Sequence, residues 1–238
     1  MNDAARKILA LIPGRGGSKR LPRKNVQLCA GRPLIAHTIA AAQAVRPALG
    51  RIMVSTDDVE IAEVSRSVGL DVPFMRPAAL ATDSTSSLEV VQHALWWIEA
   101  DSGWKPDWVL LLQPTSPLRQ ASDIEAAIAI AANEQCDSVV SVVRLQHEHP
   151  RLAKRIENDF LRPFCPIEDT VAEEPAYTNN GAIYLTRTAV IRDQASLYGR
   201  LSRPYVMPRE RSVDIDTAVD LQIASLLLDM MATKQRHP

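Results

Sequence analysis

Ile8-Leu9-Ala10-Leu11-Ile12, an unbroken apolar run, passes through Pro13-Gly14 into Arg15-Gly16-Gly17-Ser18-Lys19-Arg20-Leu21-Pro22-Arg23-Lys24-Asn25. A strand with one wet face alternates apolar and polar residues; a run without alternation fits a strand covered on both faces of a parallel sheet. The loop behind it holds three glycines and five cations, counted from Pro13 to Asn25. Glycine lets backbone N–H groups turn toward an anion, and the cations supply the charge that a polyphosphate requires. A solvated basic loop that merely turns the chain is the plainer alternative. The apolar spacing of Leu34, Ile35, Thr38, Ile39, Ala42 and Val45 then predicts a helix, with Pro33 at its first position, where a missing N–H costs nothing.

Outward from this unit the alternation repeats. Ile52-Met53-Val54 reads as a strand and Asp58 to Val68 as a helix ended by Gly69. Leu88, Val91, Leu95 and Ile98 mark a helix, and Val109 to Leu112 the most apolar strand. Ile124, Ala127, Ile128 and Ala131 mark another helix, and Val139 to Val143 another strand. Strands separated by helices of this length predict an α/β fold, a mostly parallel sheet with helices on both faces and ligands beyond the carboxyl ends of the strands. Ala182 to Leu185 resumes regular order, and Val219, Ile223, Leu226, Leu227 and Met230 share one face of a closing helix. Between them, Arg144 to Asn180 is charged, proline-rich and irregular, with a strand signal at Phe160 to Phe164. We expect one domain over 1–238 with an arm at about 144–180, since a long irregular segment usually has a function or a partner.

Composition bounds the rest. The 238 residues are 46% hydrophobic and 23% charged, with a formal net charge of -1, which excludes disorder and argues against a general nucleic-acid binder. Cys29, Cys136 and Cys165 are odd in number and far apart, so neither a disulfide framework nor a zinc knuckle is indicated. No apolar run reaches membrane-span length and Met1 to Lys7 lacks the features of a signal peptide, so no membrane association and a cytoplasmic location are expected.

The phosphate loop is of neither common kind. A Walker A loop needs Ser or Thr after its Lys, and Lys19 is followed by Arg20; a Rossmann GxGxxG from Gly14 would need glycine at position 19. Asp214 and Asp216 stand two apart, so in an extended segment both carboxylates face one way and can share a hard cation. Asp216 could instead simply cap the last helix.

Gly16-Gly17-Ser18-Lys19 with Leu21-Pro22 and Lys24-Asn25 resembles the signature of the acylneuraminate cytidylyltransferases, or CMP-nonulosonate synthetases. So, in the same order, do Val54-Ser55-Thr56-Asp57, Arg76-Pro77 with Asp83 and Ser86-Ser87, Leu112-Gln113-Pro114-Thr115-Ser116-Pro117-Leu118-Arg119, Asn180-Gly181-Ala182-Ile183-Tyr184 and Asp214-Ile215-Asp216-Thr217. The resemblance implies a three-layer nucleotide-diphospho-sugar transferase-like fold. It also implies a reaction in which a nonulosonic acid takes CMP from CTP with Mg²⁺, in a homodimer whose contacts include the arm.

By the same resemblance Arg15, Lys19 and Lys24 belong to catalysis with Asp214 and Asp216, the latter two as metal ligands. Arg15, Gly16, Gly17, Ser18, Asn25, Arg76 and Ser87 belong to the nucleotide, and Gln113, Tyr184 and Lys154 to the sugar. His147 and His149 are read as structural or facing a partner, and Thr115, Ser116 and Arg119 as shaping a turn. Two positions depart from the family pattern: Gly14 replaces an Ala, and Thr178-Asn179 stands where some members carry Arg-Pro. An octulosonate-type cytidylyltransferase and a non-catalytic nucleotide-binding module are the alternatives; the loop GSTRLPGK of the former is missing.

Overall fold

A computed structural model describes residues 7–133, 135–147, 149–165 and 174–236. In chain order the elements are β1 (Ile8–Gly14), β2 (Leu28–Cys29), β3 (Arg32–Pro33), α1 (Leu34–Ala44), β4 (Arg51–Thr56), α2 (Val59–Ser67), α3 (Ser87–Ser102), β5 (Trp108–Leu111), α4 (Ala121–Asn133), β6 (Ser138–Arg144), β7 (Lys154–Glu157), β8 (Phe160–Pro163), β9 (Tyr177–Arg187), α5 (Thr188–Asp193), β10 (Ser202–Val206) and α6 (Ala218–Arg236). Six strands form the main sheet in the order β10-β6-β9-β5-β1-β4. β1 pairs in parallel with β4 and β5, and β10 with β6, whereas β9 runs antiparallel to both β5 and β6.

β1 shows why its sequence does not alternate. Ile8, Ala10 and Ile12 enter one core with α1, α2 and α4, while Leu9 and Leu11 enter the core on the opposite face, under α3. Burying both faces takes the side chains of Ile8 to Ile12 out of water, at about 25 cal/mol per Å² of apolar surface. A third, smaller cluster packs α6 onto Cys29, Leu34 and Leu118.

Local chemistry sets the helix ends. Asp58 caps α2 through Ile61 N at 3.0 Å, so it precedes the helix rather than opening it. Ser86 and Glu89 close a capping box on α3, and Gly103 ends it in the left-handed conformation. Pro33 stands one place before α1, not inside it. Residues 199–201 are tied to Asp137, whose carboxylate accepts from Arg200 N and Leu201 N.

Three sequence expectations shift. The Ala182 to Leu185 strand is the middle of an eleven-residue strand, and it lies between β5 and β6 although it comes after both in sequence. The irregular segment contains the hairpin β7–β8, of which Phe160–Pro163 matches the strand signal and the charged Lys154–Glu157 does not announce itself. On α6 the face formed by Val219, Ile223, Leu226 and Met230 is exposed; Leu221, Ala224, Leu227 and Leu228 belong to the inward packing. Both faces of that helix are apolar, so periodicity alone could not choose between them.

Candidate active site

A cleft of about 660 Å³ opens beyond the carboxyl ends of β1 and β5. It is lined by Arg15, Ser18, Lys19, Lys24, Asn25, Arg76, Ser87, Gln113, Asp214 and Asp216, with Arg20, Thr82, Asp83 and Thr115 among their neighbours. This is where an open α/β sheet presents ligands to loop residues.

The first wall is the loop after β1. Ser18 N donates to Gly16 O, and Gly16 N donates to Asp57 Oδ1 at 3.2 Å. A Cβ on Gly16 would lie 2.5 Å from Asp58 Oδ2, so the chain passes there only without a side chain. Gly16 and Gly17 line an adjoining, more open hollow that shares Ser18, Lys19, Thr82 and Asp83 with the cleft. Asn25 is buried and its Nδ2 donates to Arg15 O at 2.9 Å, which makes it a brace for the loop as well as a lining residue.

Arg76 is also buried. Its guanidinium reaches Gly14 O and Asp57 Oδ1, each at 3.4 Å, while Nε has no partner among the described residues. Burial pulls its pKa down and Asp57 opposes that pull.

The second wall is the segment before α6. Thr217, not Asp216, caps that helix: Asp220 N donates to Thr217 Oγ1, and the Asp220 carboxylate accepts from Thr217 N, Thr217 Oγ1 and Asp216 N. The Asp216 carboxylate is thereby left to the cleft, where Arg20 lies 2.8 Å and Lys24 Nζ 3.2 Å away. Lys24 also donates to Ile215 O at 2.6 Å, which fastens the two walls together. Asp214 opens onto the cleft, but protein crowded around it raises its carboxyl above the ordinary range. Asp216 pushes the same way, against a hydrogen bond from Thr115 and the charge of Lys24.

Sequence reasoning counted Arg20 among the loop's cations and Asp83 within a family motif, but named neither as a site residue. Asp83 lies 3.0 Å from Arg15 and 2.6 Å from Lys19, and these cations hold its carboxyl below the usual range. No local signal could have revealed a contact spanning more than sixty residues; the nearby Arg15 bond to Thr82 O spans 67.

On the floor, Gln113 lies beyond β5, two residues past the end of the strand. Gly181, at φ +75°, sits so close that a Cβ there would meet Gln113 Oε1 at 2.7 Å. Tyr184 and Lys154 are not among the residues lining this cleft. Tyr184 packs beneath it against Tyr198, its phenol pushed up by burial and, more weakly, by Tyr198 and Asp214. Lys154 is exposed on the β7–β8 hairpin.

The cytidylyltransferase family profile matches residues 9–159. The CMP-N,N'-diacetyllegionaminic acid synthase of Legionella pneumophila is 38% identical to this chain over 229 residues, 94% of this chain and 97% of that protein. The N-acylneuraminate cytidylyltransferase of Escherichia coli is 32% identical over 92% of this chain, which spans 51% of it. Among solved structures, a CMP:2-keto-3-deoxy-manno-octonic acid synthetase complexed with CTP superposes with a TM-score of 0.68 at 19% identity, over 94% of this chain and 99% of that one, a likeness of fold.

Proposed function

The chain belongs to the cytidylyltransferase family, in its acylneuraminate group, and from that premise we propose that it transfers CMP from CTP to the anomeric hydroxyl of a nonulosonic acid, releasing pyrophosphate. The observation that carries the reading is the pairing of the two walls. A cationic glycine loop faces two carboxylates across one cleft, with Lys24 bridging them. Phosphoryl transfer needs positioning and charge stabilisation more than it needs a covalent partner, and those are what the two walls offer.

In this reading Arg15, Lys19 and Lys24, with the backbone of Gly16, Gly17 and Ser18, hold the triphosphate and stabilise charge as pyrophosphate departs. Asn25, Arg76 and Ser87 frame the nucleotide; the unpartnered Nε of buried Arg76 is a donor that a ligand can satisfy. Gln113 orients the sugar. Tyr184 supports that side from below, and Lys154 contributes from the arm.

Mg²⁺ fits the donor set. Asp214 and Asp216 offer hard oxygens on one wall, and this ion commonly takes one or two carboxylates and completes its shell with water and substrate phosphate. Among the described residues no group of three or more metal-ligating side chains gathers. When bound, the ion supplies charge neutralisation at the phosphates.

The arm is read as a homodimer contact. Ile156 is 77% and Leu161 72% exposed on a two-stranded hairpin, and a hairpin alone is marginal in water without a covering surface. A reducing cytoplasm suits the three cysteines, which form no disulfide. Among the described residues no helix is long and apolar enough to cross a membrane.

The test is pyrophosphate release with Mg²⁺, each of the four ribonucleoside triphosphates and a panel of nonulosonic and octulosonic acids. Turnover with CTP and a nonulosonic acid is expected. Turnover only with the octulosonic acid, or nucleotide binding without turnover, would replace this reading.

A further inference from the structure

Arg119 sits beneath the cleft, 4% exposed, and is a costly residue to keep there. The neighbouring acid on α4, the fully buried Asp123, is already engaged by Tyr205 at 2.8 Å and Arg211 at 2.5 Å. The terminal nitrogens of the Arg119 guanidinium instead donate to neutral acceptors, while Nε has no partner among the described residues. One terminal nitrogen donates to Gln113 O at 3.2 Å and Ala182 O at 2.7 Å, and the other to Thr38 Oγ1 at 2.6 Å. Burial draws its pKa down to about 9, so it remains charged at neutral pH.

Those two carbonyls belong to a place where the sheet comes apart. β5 pairs with β9 only as far as Leu111 opposite Tyr184. Past that point β9 bulges, its partner on β6 jumping from Val140 to Val142 while β9 itself runs from Tyr184 back to Asn179. The bulge is Asn180-Gly181-Ala182-Ile183. Ser141 holds it from one side, taking Ile183 N and donating to Asn180 Oδ1, and Ser116 donates to Asn180 O. A bulge leaves carbonyls without ladder partners, and a buried carbonyl must find a donor. One nitrogen of Arg119 supplies it for Ala182 and at the same time grips Gln113.

The spacing between those carbonyls sets where the Gln113 side chain lies relative to Gly181, whose missing Cβ leaves it room. We propose that Arg119 is a positioning residue for the acceptor sugar, fixing Gln113 against the β9 bulge, an inference that rests on the cytidylyl-transfer reading. An equally buried apolar residue could serve stability as well. What it could not do is hold both carbonyls at one nitrogen.

The experiment compares the wild type with Arg119→Lys, which keeps the charge and loses the fork, and with Thr38→Val, which removes one acceptor at nearly constant volume. Each is then placed in a Gln113→Ala background, with KM measured separately for the sugar acid and for CTP. Arg119→Lys should raise the KM for the sugar about tenfold and Thr38→Val by less, with the KM for CTP within about twofold, because a displaced orienting group costs on the side it orients. Without the Gln113 side chain, neither substitution should raise the sugar KM further. Equal shifts in both KM values, or full additivity with Gln113→Ala, would make Arg119 a structural brace only and overturn the proposal. If Arg119→Lys does not fold, the same split is read from Thr38→Val. A wild type that turns over no sugar acid overturns the cytidylyl-transfer reading and this inference with it, whereas an active wild type without the split overturns the inference alone.

Discussion

Lys19 Nζ lies 2.6 Å from a carboxylate oxygen of Asp83, so the glycine-rich loop already holds an anion of the protein's own. Arg15 shares the same carboxylate at 3.0 Å. In the proposed reading a triphosphate entering the cleft competes for both cations, and the protein carboxylate gives way. The pairs are substantially exposed, so they are weak and screened by salt. Asp83→Asn is expected to tighten CTP binding a few-fold at low ionic strength, with the gain shrinking as salt rises. Titration calorimetry at two salt concentrations checks this. Weaker CTP binding by the variant would mean that Asp83 orients the cations instead of competing for them.

Asp216→Asn is expected to cut turnover by a hundredfold or more, since losing one of two hard ligands costs on the order of several kcal/mol at the transition state. Stability should change by less than about 1 kcal/mol, because its partners Arg20 and Lys24 are bound at a half-exposed carboxylate and the helix cap is made by Thr217 and Asp220. Near-normal turnover at saturating Mg²⁺ would remove Asp216 from the metal site.

Light scattering at micromolar concentration is expected to report a homodimer. Ile156→Glu with Leu161→Glu, on the exposed hairpin, should shift it toward monomer while thermal unfolding of the main domain is retained. A wild-type monomer at that concentration would dispose of the arm as a dimer contact.

The sugar panel should favour a diacylamino nonulosonic acid of the legionaminic type. Thr178 and Asn179 are exposed at the start of β9, where an arginine fork would otherwise offer two parallel donors, and Asn179 is turned to the Tyr198 hydroxyl at 3.0 Å. We expect kcat/KM for that acid to exceed the value for N-acetylneuraminic acid by about tenfold, a discrimination that polar contacts can supply. The reverse ratio would show that Thr178 does not redirect the choice of sugar.

His37 predicts a pH dependence of stability. Burial lowers its pKa below the ordinary 6.5, and its Nε2 lies 2.8 Å from Cys29 O, to which the neutral ring donates. The unfolded chain therefore binds this proton more readily than the fold does, so stability present above about pH 6.5 is lost as pH falls below it. Urea midpoints at about pH 7.5 and 5.5 should differ more for the wild type than for His37→Gln. Equal differences would place the titrating group elsewhere.

Near neighbours along the chain dictate a good part of this protein, and that part is legible in the sequence. The unbroken run Ile8 to Ile12 fits a strand covered on both faces, which is what β1 is, and the glycines and cations behind it mark a loop suited to an anion without telling what they face. Helical spacing found α1 through α4, because a period of 3.6 residues is a property of the segment itself. Distant pairing belongs to the folded chain alone. Folding inserted β9 between two earlier strands, gave the capping of α6 to Thr217 so that Asp216 faces the cleft, and brought Asp83 to Lys19. It also buried Arg119, which its sequence neighbours mark only as part of a turn. A side chain's partners across the fold are set by the register of strands and the closure of loops, and neither leaves a period in the sequence around it.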